Sequence, residues 1–481
     1  MSELRKKTVS GLFWTFSQQF SIQLINFAVS IILARLLLPA EFGLLGMIAI
    51  FIAIGNSLVD GGMTSSLIRT QNPDQLDYSV VFFTNLSMSI VIYIVSFLTA
   101  PYISLFFEEP ILTNLVRVYC LTFIIRAFST VQATKLNKEM NFKLQMIINV
   151  PSLIIGGISG AAFAYYGYGV WSLVYMNILQ SLVATIQLWI YSKWKPVFTF
   201  DINRLKMHLG FGYKLTLSGL INTIVKNVYN LIIGKFFTAS QLGFFIRAKS
   251  MQELPVSNIS SALNKVTYPL FSSIMNEDIK LKSVYKRLVQ QVFFWITPIL
   301  VIAIVLAEPL FRFLLTEKWL PAVPYFQILC ISGILTPLNT YNLNILLVKG
   351  KSGQYLKLEI VKNIFTILGA LLVFPYGIYG LLWSIVISVV ITFFINAYFC
   401  GKVLNISVKE QIIHILPIVL ISLIGGVICY GFDILILKYF NIDIVRLIVC
   451  TSLTLGFYLI ACYVLKIEAL KEFVIIVKNR K

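Results

Sequence analysis

Charged side chains are scarce in this sequence: they make up 12% of its 481 residues. Soluble domains carry about twice that share. The deficit excludes an ordinary soluble enzyme, because no soluble core of this size needs 58% apolar residues. Histidine is almost missing, with only His208 and His414. The six cysteines (Cys120, Cys330, Cys400, Cys429, Cys450 and Cys462) form no CxxC pair. A zinc or haem site is therefore not expected, and thiols inside apolar runs read as small hydrophobes. No hydrophilic stretch between apolar runs exceeds roughly 20 residues, which leaves no room for a soluble catalytic domain. No cleavable leader is expected either, since the first apolar run is long and lacks a small-residue cleavage site.

Long apolar runs are what the sequence has in abundance. Fourteen are read near 11–38, 42–68, 78–105, 111–133, 144–165, 169–192, 209–236, 242–272, 288–315, 321–348, 356–374, 376–399, 411–432 and 443–465. Each supplies the roughly 20 residues with which a helix crosses about 30 Å of hydrocarbon. Strands of a β-barrel are shorter and alternate, so the expected fold is an all-α polytopic membrane protein with about 14 transmembrane helices. The eighth run is the most polar and contains Pro255.

The formal charge is +19, which in a soluble chain would suggest nucleic acid. With a cytoplasmic N-terminus, 26 of the 39 basic residues fall on cytoplasmic ends and loops, Arg5–Lys7, Lys349, Lys351, Lys357 and Lys362 among them. Only Lys318, Lys438 and Arg446 fall on the opposite side. This asymmetry is the positive-inside pattern. It places both termini in the cytoplasm and accounts for most of the charge without nucleic acid.

Two segments echo each other at an offset of 200 residues. ILARLLLPAEFGLLG begins at Ile32 and IIGKFFTASQLGFF at Ile232. Arg35 falls on Lys235, Glu41 on Gln241, Gly43 on Gly243, Asn26 on Lys226 and Ser30 on Asn230. A second echo joins Gly169-Val170-Trp171-Ser172 to Gly380-Leu381-Leu382-Trp383-Ser384. Together they predict two pseudo-symmetric six-helix lobes in the same orientation, a parallel repeat of the kind transporters use. The lobes span 1–193 and 209–400, joined by a cytoplasmic linker at 194–208. Residues 401–481 add two further helices and a tail.

Polar residues inside spans carry the functional signal, because a charge at mid-bilayer costs at least about 2.5–3.5 kcal/mol. Gln19, Gln23, Asn26 and Ser30 share one helix face, as do Asn222, Lys226 and Asn230. Arg247, Asn258, Ser261 and Lys265 form another stripe. Arg117 and Arg126 lie in the fourth run, while Asp60 and Glu253 are the clearest acids within runs. The excess is basic, so a hydrated internal cavity should prefer an anion, such as a lipid with a phosphate-bearing head. Snorkelling of Arg35 and Lys235 to the interface is the competing reading for those two.

GLFWTF at 11–16, LARLLLPAEFGLLGM at 33–47 and VDGGMTSSLIR at 59–69 resemble the bacterial polysaccharide flippases. These are O-antigen and exopolysaccharide transporters within the multidrug/oligosaccharidyl-lipid/polysaccharide exporter superfamily. The resemblance covers nearly the whole chain and matches the six-plus-six-plus-two layout. It implies a carrier, not an enzyme. Its cargo would be undecaprenyl-diphosphate-linked oligosaccharide, moved across the bacterial inner membrane by alternating access. It further implies contact with membrane lipids and with glycan polymerase and assembly proteins. Arg35, Arg126, Lys226, Arg247 and Lys265, with Asn26 and Asn230, are the substrate-path candidates. No cofactor is implied, and the scarce carboxylates leave proton or sodium coupling open. Peptidoglycan-precursor flipping, cation-coupled drug export, a membrane enzyme acting on lipid-linked sugars and a scaffold role are the alternatives.

Overall fold

The structure is a computed structural model that describes residues 2–199, 201–439 and 442–472; side chains are not described at 1–13, 15, 16, 262–266 and 439. Every regular element among these residues is helical. The chain forms two compact units, 1–243 and 244–481.

Unit 1 begins with α1 (Ser2–Leu36), α2 (Pro39–Asp60), the short α3 (Met63–Arg69) and the long α4 (Gln75–Phe107). It continues through α5 (Ile111–Tyr119), α6 (Leu121–Lys138), α7 (Phe142–Tyr165), α8 (Val170–Tyr191) and α9 (Ile202–Phe236). A helix α10 (Ala239–Ser273) leads into unit 2, which holds α11 (Asp278–Val305), α12 (Ala307–Leu315) and α13 (Val323–Val348). The chain ends with α14 (Ser352–Val373), α15 (Gly377–Leu404), α16 (Val408–Tyr439) and α17 (Asp443–Val464).

Eleven stretches of the described residues are long and apolar enough to cross a bilayer. One of them, Ser352–Leu404, contains both α14 and α15, parted by a single 3-10 turn at Phe374–Tyr376. The seventh and eighth expected spans are helical as α9 and α10, but their polar stripes keep them outside that set. Aliphatic side chains point outward, as Ile90, Ile94 and Leu98 do on α4. In water such faces would drive aggregation; in hydrocarbon they are solvated.

Helix ends are fixed by local chemistry. The Asp74 carboxylate accepts the N–H groups of Leu76 and Asp77 at 3.0 and 2.9 Å, and Asp77 accepts the Asp74 N–H at 3.0 Å. This capping box starts α4. The Lys138 ammonium donates to the carbonyls of Leu67 and Ile68 at 3.0 and 3.2 Å and to that of Thr70, capping the last turn of α3. Gly156 and Gly160 let α7 and α8 touch. A Cβ at these positions would meet Gln180 Cβ at 2.8 Å and Met176 Cβ at 2.9 Å. Two glycines four apart on one face are a close-packing device of membrane helices.

The 200-residue echo has a physical counterpart. A Cβ on Gly43 would lie 1.8 Å from the Ala239 carbonyl oxygen, and a Cβ on Gly243 would lie 1.9 Å from that of Pro39. Both partners are also related by the same offset, so the contact is reciprocal, as a self-complementary contact must be. Any side chain at Gly43 drives the two helix starts apart, and overpacking costs about 1–3 kcal/mol even where neighbours can give. Gly43→Val is therefore expected to lower the melting temperature of purified protein in detergent. An unchanged transition would mean that the backbones separate freely.

A polar clamp ties the start of α9 to the start of α4. Arg204 pairs with Asp74 and lies 2.8 Å from Asp77, while the buried His208 ring bonds the Ser66 hydroxyl at 2.9 Å through Nδ1. Hydrogen bonding from the Asp77 backbone, and then from Arg204, holds the Asp74 carboxyl below its ordinary 3.8. Burial pushes the His208 imidazole below its ordinary 6.5, against the opposing pull of Asp77. The folded state thus disfavours the protonated imidazole. The contribution of His208 is complete above that ordinary value and declines as pH falls through 6.5 and lower, because the unfolded chain binds the proton first. Melting temperature should drop between about pH 7.5 and about pH 5.5, and His208→Gln should shrink that drop. A drop of the same size in the variant would contradict this assignment.

Candidate functional site

Helices α1, α6, α7 and α8 of unit 1 wall an open cavity of about 390 Å³, whose apolar lining comes from Ile22, Leu153 and Ala184. It is lined by Asn26 from α1, Arg126 and Ser129 from α6, Asn149 and Ser152 from α7, and Gln180 and Ser181 from α8. The Gly156 and Gly160 contacts described above bring Gln180 against α7. Arg126 is oriented by its Nε–H, which donates to the buried Ser181 hydroxyl at 3.1 Å. The wall behind it is knitted by hydroxyls: Ser129 meets Thr185 at 3.0 Å, and the Gln187 amide donates to Ser152 at 3.2 Å.

Among the described residues no carboxylate forms an ion pair with Arg126. A guanidinium stays charged at any physiological pH and presents a planar fork of donors. The cavity therefore offers one fixed positive charge surrounded by amides and hydroxyls. That combination suits a phosphate, which Arg binds through two parallel hydrogen bonds.

Sequence reasoning singled out Asn26 and Arg126, and the structure brings them together in this cavity. The other candidates stand elsewhere. Arg35 is exposed in the last turn of α1, and its repeat partner Lys235 is paired with Glu108 at 2.8 Å. That hydrogen bond holds the Glu108 carboxyl below its usual range. Lys226 is exposed on α9, and Asn230, one turn on, donates to Asn227 at 3.3 Å. Arg247 belongs to unit 2, is 5% exposed, and stands over the Trp319 ring at 5.2 Å. A buried cation on an aromatic face is a packed arrangement. Lys265 falls outside the residues whose side chains are described.

Sequence reasoning missed a second cavity, of about 320 Å³, walled by α13, α14 and α15 in unit 2. Lys362 lines it, paired with Glu359 at 2.5 Å. Charge counting assigns Lys362 to a cytoplasmic helix end, whereas it sits midway along α14. The signal was present as an acid and a base three residues apart inside an apolar run, spacing that places them on one face.

The profile of a family described as "Polysaccharide biosynthesis protein" matches residues 32–324. The teichuronic acid biosynthesis protein TuaB of Bacillus subtilis is 24% identical over 448 residues, 90% of each chain. The lipopolysaccharide biosynthesis protein WzxC of Escherichia coli is 22% identical, covering 89% of each. Among solved structures, the lipid II flippase MurJ in an inward closed conformation superposes with a TM-score of 0.78 at 14% identity, over 94% of this chain and 98% of that one. A multidrug transporter of the MATE family in its inward-facing conformation superposes with a TM-score of 0.61, over 79% and 95%. These two structures establish the fold.

Proposed function

The chain belongs to the polysaccharide biosynthesis protein family, and from that premise we propose that it is a flippase for lipid-linked oligosaccharide repeat units. The relatives TuaB and WzxC are named for building cell-surface polymers, and the fold is that of a lipid II flippase. The observation that carries the reading is the Arg126 cavity, a lone guanidinium in a wall of amides and hydroxyls inside a membrane-spanning unit.

In the proposed mechanism the cargo is a glycan joined through a diphosphate to a polyprenyl lipid of the undecaprenyl type. Arg126 and Asn26 hold the diphosphate while the prenyl tail stays in the bilayer. Moving the charged head through hydrocarbon unaided is prohibitive. A cavity that substitutes a guanidinium and amide dipoles for water lowers that barrier. The carrier acts by alternating access of its two lobes in the bacterial inner membrane, with both termini cytoplasmic. It breaks no bond. Arg35, Lys226, Arg247, Lys265 and Asn230 remain proposed contacts further along the path, and glycan polymerase and assembly proteins remain proposed partners.

Deleting the gene in its own bacterium tests the reading. The complete lipid-linked repeat unit should accumulate, facing the cytoplasm, while surface polysaccharide falls. Accumulation of an incomplete or chemically altered lipid-linked sugar would instead identify an enzyme.

A further inference from the structure

The two cavities occupy the same place in the internal repeat. An offset of 210 residues carries Arg126 onto Thr336, Ser129 onto Asn339, Asn149 onto Glu359 and Ser152 onto Lys362. An offset of 212 then carries Gln180 onto Thr392 and Ala184 onto Asn396. The Trp171-Ser172 and Trp383-Ser384 echo has this same offset of 212. The change of two residues falls in the links between α7 and α8 and between α14 and α15. Each of these twelve positions lines its cavity, so the helices that build them are matched position for position.

The chemistry is not matched. At the position of Arg126 unit 2 has a threonine, so the fixed charge is gone. The charges it does carry, Glu359 and Lys362, cancel in a bidentate pair at 2.5 and 2.6 Å. The remaining polar wall is amide and hydroxyl. Asn396, 2% exposed, donates to the Asn339 side-chain Oδ1 at 3.2 Å, and the Asn339 side-chain amide donates to the Val389 backbone carbonyl at 3.2 Å. Thr366 meets Ser388 at 3.3 Å. Tyr355 and Leu343 add an apolar surface.

We infer that the unit 2 cavity is the sugar-binding counterpart of the diphosphate cavity in unit 1. A neutral wall of side chains that both donate and accept matches a polyhydroxyl ring, whose every hydroxyl does the same. A diphosphate would meet no net positive charge there and would face the Glu359 carboxylate. A bare metal cation would have to displace the Lys362 ammonium, which already sits against both Glu359 oxygens. The volume is at the lower end of small-molecule sites, about 300–1,000 Å³, enough for a ring-sized group rather than a lipid. The assignment rests on the flippase reading above and names what part of the cargo each unit holds.

Cysteine protection separates the two claims. All six native cysteines are buried, so a cysteine introduced into either cavity is the selective target of a maleimide in detergent-purified protein. Asn149→Cys reports on unit 1 and Thr336→Cys on unit 2. Thr340→Cys, on the same wall, substitutes if Thr336→Cys does not fold. The probes are farnesyl diphosphate and the lipid-linked repeat unit extracted from producing cells. At a probe concentration about ten times its Kd, occupancy slows labelling about tenfold. Both probes should slow Asn149→Cys, and only the glycan-bearing one should slow Thr336→Cys. Equal slowing of Thr336→Cys by both probes, or by neither, while Asn149→Cys is protected, would overturn the sugar assignment alone. Failure of both probes to protect Asn149→Cys would overturn the diphosphate reading and the inference that rests on it.

Discussion

Arg126→Ala should cut the rate of lipid-linked oligosaccharide flipping at limiting substrate by roughly thirtyfold or more. Truncating one partner of a desolvated charge pair costs about 2–5 kcal/mol, and each 1.4 kcal/mol is a factor of ten. Among the described residues Arg126 is the only charged side chain lining the unit 1 cavity, so none of these neighbours replaces it. Arg126→Lys should fall between the two, because an ammonium keeps the charge and loses the planar fork that a diphosphate engages. Its Ser181 hydrogen bond would be lost as well. Lys235→Ala is the informative control. Lys235 is equally cationic, but it answers Glu108 at an exposed site, where ion pairs matter little. Rates should be measured in vesicles, with the folded fraction checked by gel filtration. Undiminished flipping by Arg126→Ala would remove this residue from the cargo path.

The largest effect on stability should come from Arg446→Met in unit 2. Arg446 is 3% exposed, and its guanidinium grips Asp433 through two bonds, Nε to Oδ1 at 2.9 Å and NH2 to Oδ2 at 2.8 Å. A third contact reaches Asp443 at 3.3 Å. Removing the cation strands the Asp433 carboxylate with little access to water, while Asp443 keeps Arg312 at 3.4 Å, and breaking a buried pair in this way costs about 3–5 kcal/mol. Removing the charge on both sides is far milder, since well-packed apolar residues often replace a buried ion pair without loss. Arg446→Met/Asp433→Leu should therefore recover much of what Arg446→Met loses. Thermal unfolding in detergent reads both. A double variant no more stable than the single one would show that the pair holds the helix ends by geometry, not by charge compensation.

Arg446 is one of three basic residues expected on the side opposite the cytoplasm, and its charge is met by Asp433 and Asp443. Reading that pairing required α16 and α17 to be folded against each other, since Asp433 and Arg446 are 13 residues apart and lie on different helices.

Apolar run length made the fold legible, because a helix in hydrocarbon must satisfy its own backbone and therefore announces itself by composition. The 200-residue echo was legible too, and Gly43 and Gly243 turn out to be where backbones meet. Packing was less accessible. The fourth run is two helices, α5 and α6, meeting at Cys120, and neither residue type nor periodicity marks that joint. Arg126 and Asn26 could be flagged separately as polar residues in apolar surroundings. Their convergence depends on α7 and α8 closing through Gly156 and Gly160, a tertiary event. Glu359 and Lys362 were hidden for another reason: a local pair in a run near a basic loop counts as topology until the helix is seen to carry it into a cavity.

Flipping itself is the decisive measurement. Purified protein in vesicles of bacterial phospholipid, loaded on one leaflet with the extracted lipid-linked repeat unit, should render the glycan accessible to a glycosidase on the other side. The wild type should do so, and Arg126→Ala should show a large deficit. Protein-containing vesicles that translocate no faster than empty ones, with the protein shown to be folded and inserted, would contradict the flippase reading.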